Sequence, residues 1–352
     1  MPGHPLPLGL TYDDVLLEPR KSGVNRNEVD LGAQLTTKVR LGIPILASAM
    51  DTVSEVKMAV ALGRLGGMAV LHRSCSIAEQ VAMAEKVKRE KLLCGAAVGP
   101  HDMERARKLD RARVDVIFID VAHAYMTHVL RDARKMKRAI RAQLVVGNIA
   151  TREAALELAT FADAIKVGVG PGSICITRIV TGVGVPQLTA LQNVVAAVKS
   201  KVPVIADGGI KYSGDIVKAL AAGASSVMLG SMLSGTAEAP GKIITIRGKK
   251  YKSYRGMGSI GVMEKRKSAD RYSQRGAERF VPEGVEGIVP FKGPVGDIVW
   301  HMVGGVRSGM GYLGANAIAD LPKRARFIQL TSASLRESHP HTVTISKKAP
   351  NY

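Results

Sequence analysis

Cysteine is scarce. The 352 residues hold three, Cys75, Cys94 and Cys175, at wide spacing. That excludes a disulfide framework and a zinc-ligand set and suits a reducing cytoplasm. Aromatic residues make up only 4%, so the 46% hydrophobic content must build its core from Val, Ile, Leu, Ala and Met. No run of about 18 uncharged apolar residues occurs, which speaks against a membrane-spanning helix. The opening MPGHPLPLGL lacks a basic stretch followed by an apolar one, so it does not read as a signal peptide. Acidic charge is also short: 30 Asp and Glu face 50 Lys and Arg, a formal charge of +20. Such a balance suits nucleic acid or anionic surfaces. No nucleic-acid motif with interleaved aromatics accompanies it, so the expected partners are small anions and nucleic acid is not the expected ligand. The surplus is uneven: residues 241–280 carry twelve Lys and Arg against three acids, which marks a mobile or anion-facing segment.

What is present is a repeated alternation. Short apolar runs, IPILASAM (43–50), GMAVLHR, LLCGAAVG, VDVIFID (114–120), AQLVVGNIA, AIKVGVG (164–170), VPVIADGG (202–209) and ASSVMLGS (224–231), are separated by helical patterns at 54–66, 76–91, 102–113, 128–141, 151–162, 189–201 and 212–223. Ser76 with Glu79 forms a capping box and Thr151 an N-cap. The strands are continuously apolar rather than alternating, as strands buried on both faces are. Eight such units predict a (β/α)8 barrel. The eighth helix is delayed to 293–309, beyond the basic segment, which is therefore an insertion after strand eight.

In such a barrel chemistry sits at the C-terminal ends of the strands. Asp207, Gly208 and Gly209 end strand seven, and Gly230 and Ser231 end strand eight. Their backbone N–H groups suit a phosphate, with Asp207 left for ribose hydroxyls; tight turns alone would need the same glycines. After strand six comes GVGPGSICITR (168–178), a glycine-rich loop around Cys175. Its thiol reads as a nucleophile or as a small buried hydrophobe, and the residues alone leave both open. The stretch 251–283, with YRGMGS (254–259), is polar and almost patternless, as lids and binding loops are.

Taken together, LTYDDVLLEP (10–19), SAMDTVSE (48–55), VGPGSICITRIVTGVGVPQ (169–187), ADGGI (206–210), YRGMGS, DRY (270–272), VPEGVEG (281–287) and LRESHPH (335–341) resemble the inosine-5′-monophosphate dehydrogenases of the IMP dehydrogenase / GMP reductase family, over essentially the whole chain. The resemblance implies one catalytic barrel over 1–352, with a mobile flap at about 240–292 and a tail at 315–352. It implies that Cys175 attacks C2 of IMP, that hydride passes to NAD, and that the resulting thioimidate is hydrolysed to XMP in guanine nucleotide synthesis. Arg271 and Tyr272 on the flap would serve hydrolysis, with Thr177 and Glu283 as an alternative proton route. IMP would be held by Ser173, Asp207, Gly208, Gly209, Gly230, Ser231, Tyr254, Arg255, Gly256, Met257, Gly258 and Glu283. Asp120, Gly168, Val169 and Gly170 would line the NAD site. Carbonyls of Gly170, Gly172 and Cys175 would bind K+, joined by Glu337, Ser338 and His339 of the partner subunit, which implies a homotetramer.

Most members carry a pair of CBS modules after the second helix. Here KVKREK (86–91) runs directly into LLCGAAVG, so regulation through such modules is not expected. GMP reductase shares the barrel and the cysteine loop, and reduces GMP with NADPH; the Arg271–Tyr272 pair and the ESHPH tail weigh against it. A non-catalytic nucleotide- or nucleic-acid-binding paralogue is the remaining alternative, and the intact cysteine and flap pair weigh against that.

Overall fold

The computed structural model describes residues 6–264, 269–272, 274, 278–347, 349–350 and 352. Eight parallel strands close into a barrel: β1 Ile45–Ala47, β2 Met68–Leu71, β3 Gly95–Val98, β4 Val116–Asp120, β5 Gln143–Ile149, β6 Ala164–Val167, β7 Val204–Asp207 and β8 Ser226–Leu229. Consecutive strands are neighbours, and β8 returns to β1 through Val227–Ile45 and Leu229–Ala47. Around them stand α1 Val56–Arg64, α2 Ile77–Arg89, α3 Met103–Arg111, α4 Thr127–Ala139, α5 Arg152–Leu158, α6 Gln187–Val198, α7 Ser213–Ala221 and α8 Val295–Leu313.

The continuous apolar runs have a simple cause. On β4, Val116 and Phe118 join the cluster inside the barrel with Met68, Val70, Val145 and Ile205. Ile117 and Ile119 face out and join the layer beneath the helices. Each side chain leaves water whichever way it points, so no polar alternation survives.

Helix starts follow the expected caps. The Ser76 side chain accepts from Glu79 N–H and the Glu79 side chain reaches back; Thr151 accepts from Ala154 N–H. α2 joins β3 through a short connection, with no module between them. No helix among the described residues is long and apolar enough to cross a membrane.

The segment after β8 departs from the expectation of little structure. β9 Ile243–Ile246, β10 Lys249–Arg255 and β11 Glu286–Pro290 form an antiparallel sheet. β9 and β10 are joined by Arg247 and Gly248, both at positive φ (48° and 75°), the geometry of a two-residue hairpin. The sequence pattern does not give the strands away because a buried and a half-buried position of β10 hold Lys252 and Ser253 rather than apolar residues, and β9 is exposed throughout. Phe327–Gln329 in the tail pairs antiparallel with Val15–Leu17 and so ties tail to N-terminus.

Candidate active site

Alternation inside the barrel changes character at its C-terminal end. Continuing inward from Val116 and Phe118, Asp120 ends β4; inward from Ala164, Lys166 lies on β6; inward from Ile205, Asp207 ends β7. Lys166 is 1% exposed. Its ammonium donates to Asp120 Oδ1 at 3.0 Å and Asp207 Oδ2 at 2.5 Å, and also to Asn148 Oδ1. Asn148 in turn donates to Gly168 O at 2.6 Å and to Asp207 Oδ2 at 3.0 Å. Three charges and an amide thus share one layer at the cavity floor, each paired, as buried ions must be. Neither Lys166 nor Asn148 was singled out from the sequence. The signal for Lys166 was available: one cation inside the otherwise apolar AIKVGVG.

Above this layer opens a cavity of about 320 Å³. Ser173, Cys175, Thr177, Asp207, Gly208, Gly209, Gly230, Ser231, Tyr254, Gly256, Met257, Arg271, Tyr272 and Glu283 line it, with Asp120, Gly168, Gly170 and Gly172. Gly208 and Gly209 stand at φ 92° and 79°, a turn only glycine makes without strain. The Tyr254 hydroxyl lies where a side chain on Gly230 would begin, 2.7 Å from an ideal Cβ. Burial pushes the Tyr254 phenol up to about 12, partly offset by a hydrogen bond with Ser173, so it is a neutral donor at physiological pH.

The cysteine loop is zipped to the far end of the insertion. Cys175 and Gly284 form an antiparallel bridge, with Ile176 N–H donating to Glu283 O at 2.9 Å and Val285 N–H to Ile174 O at 3.0 Å. Residues 256–258 lie alongside through Gly256 N–H to Val285 O (2.9 Å) and Glu283 N–H to Gly258 O (3.0 Å). This pairing sets up a directional chain. The half-buried Cys175 thiol donates to Thr177 Oγ1 at 3.2 Å, and the Thr177 hydroxyl donates to Glu283 Oε2 at 2.8 Å. Arg178 braces the loop from behind, Nε to Val169 O at 2.9 Å and Nη2 to Val185 O at 2.6 Å.

Arg271 enters from the insertion and pairs with Asp120 Oδ2. Burial pushes its guanidinium below the usual value, with Arg73 adding to this and Tyr272 opposing it; the ion pair with Asp120 also opposes it. Burial pushes the Tyr272 phenol up.

Some expected residues lie elsewhere. Arg255 turns from the cavity and forks onto Asp51. Gly258 packs under the Tyr272 ring rather than facing the cavity. Val169 offers only its carbonyl, to Arg178. Glu337, Ser338 and His339 lie at the exposed tail, where His339 meets the rings of Tyr212 and Tyr352.

Residues 9–341 match the family model described as the IMP dehydrogenase / GMP reductase domain. An "Inosine-5'-monophosphate dehydrogenase" of Cryptosporidium parvum is 45% identical over 98% of this chain and 98% of its own length. Proteins of the same description from Aquifex aeolicus and Methanocaldococcus jannaschii are 39% and 38% identical, over 98% and 97% of this chain and 97% of each relative. The Aquifex alignment runs over 477 residues, more than the 352 here, so that relative carries a segment without counterpart in this chain. The chain belongs to the IMP dehydrogenase / GMP reductase family.

Proposed function

We propose that this chain oxidises IMP to XMP with NAD as hydride acceptor, through a covalent adduct on Cys175. The observation that carries this reading is the aligned donor chain Cys175–Thr177–Glu283, at 3.2 and 2.8 Å, in a cavity that also holds Asp207, the glycine turns of β7 and β8, and Arg271 with Tyr272. Family membership supports IMP and NAD as reactants and an oxidoreductase as the class of enzyme.

In the first half-reaction the thiol proton leaves along Thr177 to Glu283, a new S–C2 bond forms, and C2 gives up its hydrogen with the electron pair. The dinucleotide supplies the acceptor for that hydride. Asp207 holds the ribose hydroxyls, while the backbone N–H groups of Gly209, Gly230 and Ser231 face the phosphate. In the second half-reaction water adds to C2, the C2–S bond breaks, and the thiol is restored. The proton of that water goes to one of two groups: to Arg271, once its guanidinium has given up a proton to solvent, or through Thr177 to Glu283, once that carboxyl has released the proton it took from the thiol. The flap bearing Arg271 occupies the Asp120 side of the cavity, so it must give way to the dinucleotide and return for hydrolysis.

Main-chain oxygens of Gly170, Gly172 and Cys175 are hard donors and suit a K+ ion, which would shape this loop. The family resemblance adds Glu337, Ser338 and His339 of a partner subunit as further ligands, which is the basis for proposing a homotetramer.

The test is an assay with IMP, NAD and K+, read as NADH absorbance. Consumption of NADPH with GMP, and none of the first reaction, would instead support the reductase.

A further inference from the structure

The cysteine loop has a neck, and one amide closes it. Val167 ends β6, and the chain then runs through 168–186 before Gln187 opens α6. Gln187 is 1% exposed. Its side-chain Nε2 donates to Val167 O at 2.9 Å and to Asp207 O at 3.2 Å. The first bond ties the end of the loop back to its beginning. The second ties both to the end of β7.

The same spot is where β6 and β7 part. Their ladder runs as far as Val167 opposite Ala206. Beyond it, Gly168 leads to Cys175 and Asp207 leads to the glycine turn. Gly168 stands at φ 148°. An ideal Cβ on it would lie 2.1 Å from Asp207 O and 3.2 Å from Gln187 Nε2, so the gap between the strand ends admits bare backbone alone. Gln187 Oε1 is buried with no hydrogen-bond partner. A buried oxygen left unpaired costs free energy, so what holds this side chain in place is the donation from its nitrogen.

We propose that Gln187 is a positioning residue for bond formation at Cys175: its amide fixes the separation between the loop that carries the thiol and the turn whose Asp207 holds the ribose. The inference rests on Cys175 attacking a nucleotide held by Asp207. Attack needs sulfur and C2 in near contact, and a misplacement of about 1 Å costs on the order of 10²-fold in rate. Once the S–C2 bond exists, that bond itself holds the nucleotide at the loop. Attack of water on the adduct then no longer depends on the neck. Loss of Gln187 therefore slows the first half-reaction and spares the second, a split that a loosened barrel would not produce.

The measurement uses the Arg271→Ala protein as parent, because its adduct is expected to persist. Rapid mixing with IMP and NAD, read at the NADH band, gives the rate of the first half-reaction. Decay of a radiolabelled adduct after dilution into unlabelled IMP gives the rate of the second. Added Gln187→Leu is expected to slow the first by about 10²-fold and to leave the second unchanged. The calorimetric Kd for IMP is expected to stay near the parent's, since Asp207 and the backbone N–H groups remain. Gln187→Glu keeps the size but turns two acceptors toward two carbonyls, and is expected to slow the first step at least as much. Gly168→Ala wedges a methyl group between the same strand ends and is expected to give the same split. Should Gln187→Leu not fold, the other two variants decide. Equal slowing of both half-reactions, or an unchanged first step in Gln187→Leu or Gln187→Glu, overturns the proposal. Absence of any adduct in the parent would instead sink the reading of Cys175.

Discussion

The Thr177 hydroxyl touches both the Cys175 sulfur, at 3.2 Å, and the Glu283 carboxylate, at 2.8 Å. Because Thr177 accepts from one and donates to the other, a proton leaves the thiol without either heavy atom moving far. Thr177→Val and Glu283→Gln should each lower kcat by roughly 10²–10⁴, the usual worth of a positioned acid–base group. The double variant should be little worse than the weaker single, because a relay fails as a unit. Steady-state rates of the three variants check this; additive losses would show that the two residues act separately.

Arg271→Ala should spare the first burst of NADH and stall the steady state, since its guanidinium pairs with Asp120 and is required only after the dinucleotide has left. Rapid mixing of IMP and NAD with this variant, read at the NADH band, separates the half-reactions. Loss of the burst would move Arg271 into hydride transfer.

Lys166 bridges Asp120 and Asp207. Lys166→Met should leave Asp207 with only the Asn148 amide and Asp120 with only Arg271, and cost about 3–5 kcal/mol of stability. Lys166→Met with Asp207→Asn should recover part of that loss, because one stranded charge is gone. Urea unfolding of the wild type and both variants gives the comparison.

Exchange of K+ for choline should slow turnover several-fold and reversibly, as the carbonyls of Gly170 and Gly172 lose a common centre. Rates unaffected by the exchange would remove the cation from the account.

The barrel was legible because its strands are buried on both faces, and the register of Val116 to Asp120 turns that pattern directly into packing. Caps at Ser76 and Thr151 were legible because a cap is local chemistry. What escaped depends on contacts between distant segments. Lys252 is buried yet donates to the carbonyls of Thr236 and Ala237, so a strand of the insertion read as a polar loop. Arg255 beside Tyr254 looked like a nucleotide ligand, but Asp51, far away in sequence, claims it. Arg73 pairs with Asp270, and no local pattern joins residues so distant in the chain.

The account turns on whether Cys175 forms a bond to the substrate. Intact-mass analysis of the Arg271→Ala protein, quenched in acid after mixing with IMP and NAD, tests this most directly. The account predicts a protein species heavier by one purine nucleotide, with the modification on the peptide that contains Cys175 and absent from Cys175→Ala. NADH released in stoichiometric amount while the protein mass stays unchanged would contradict it.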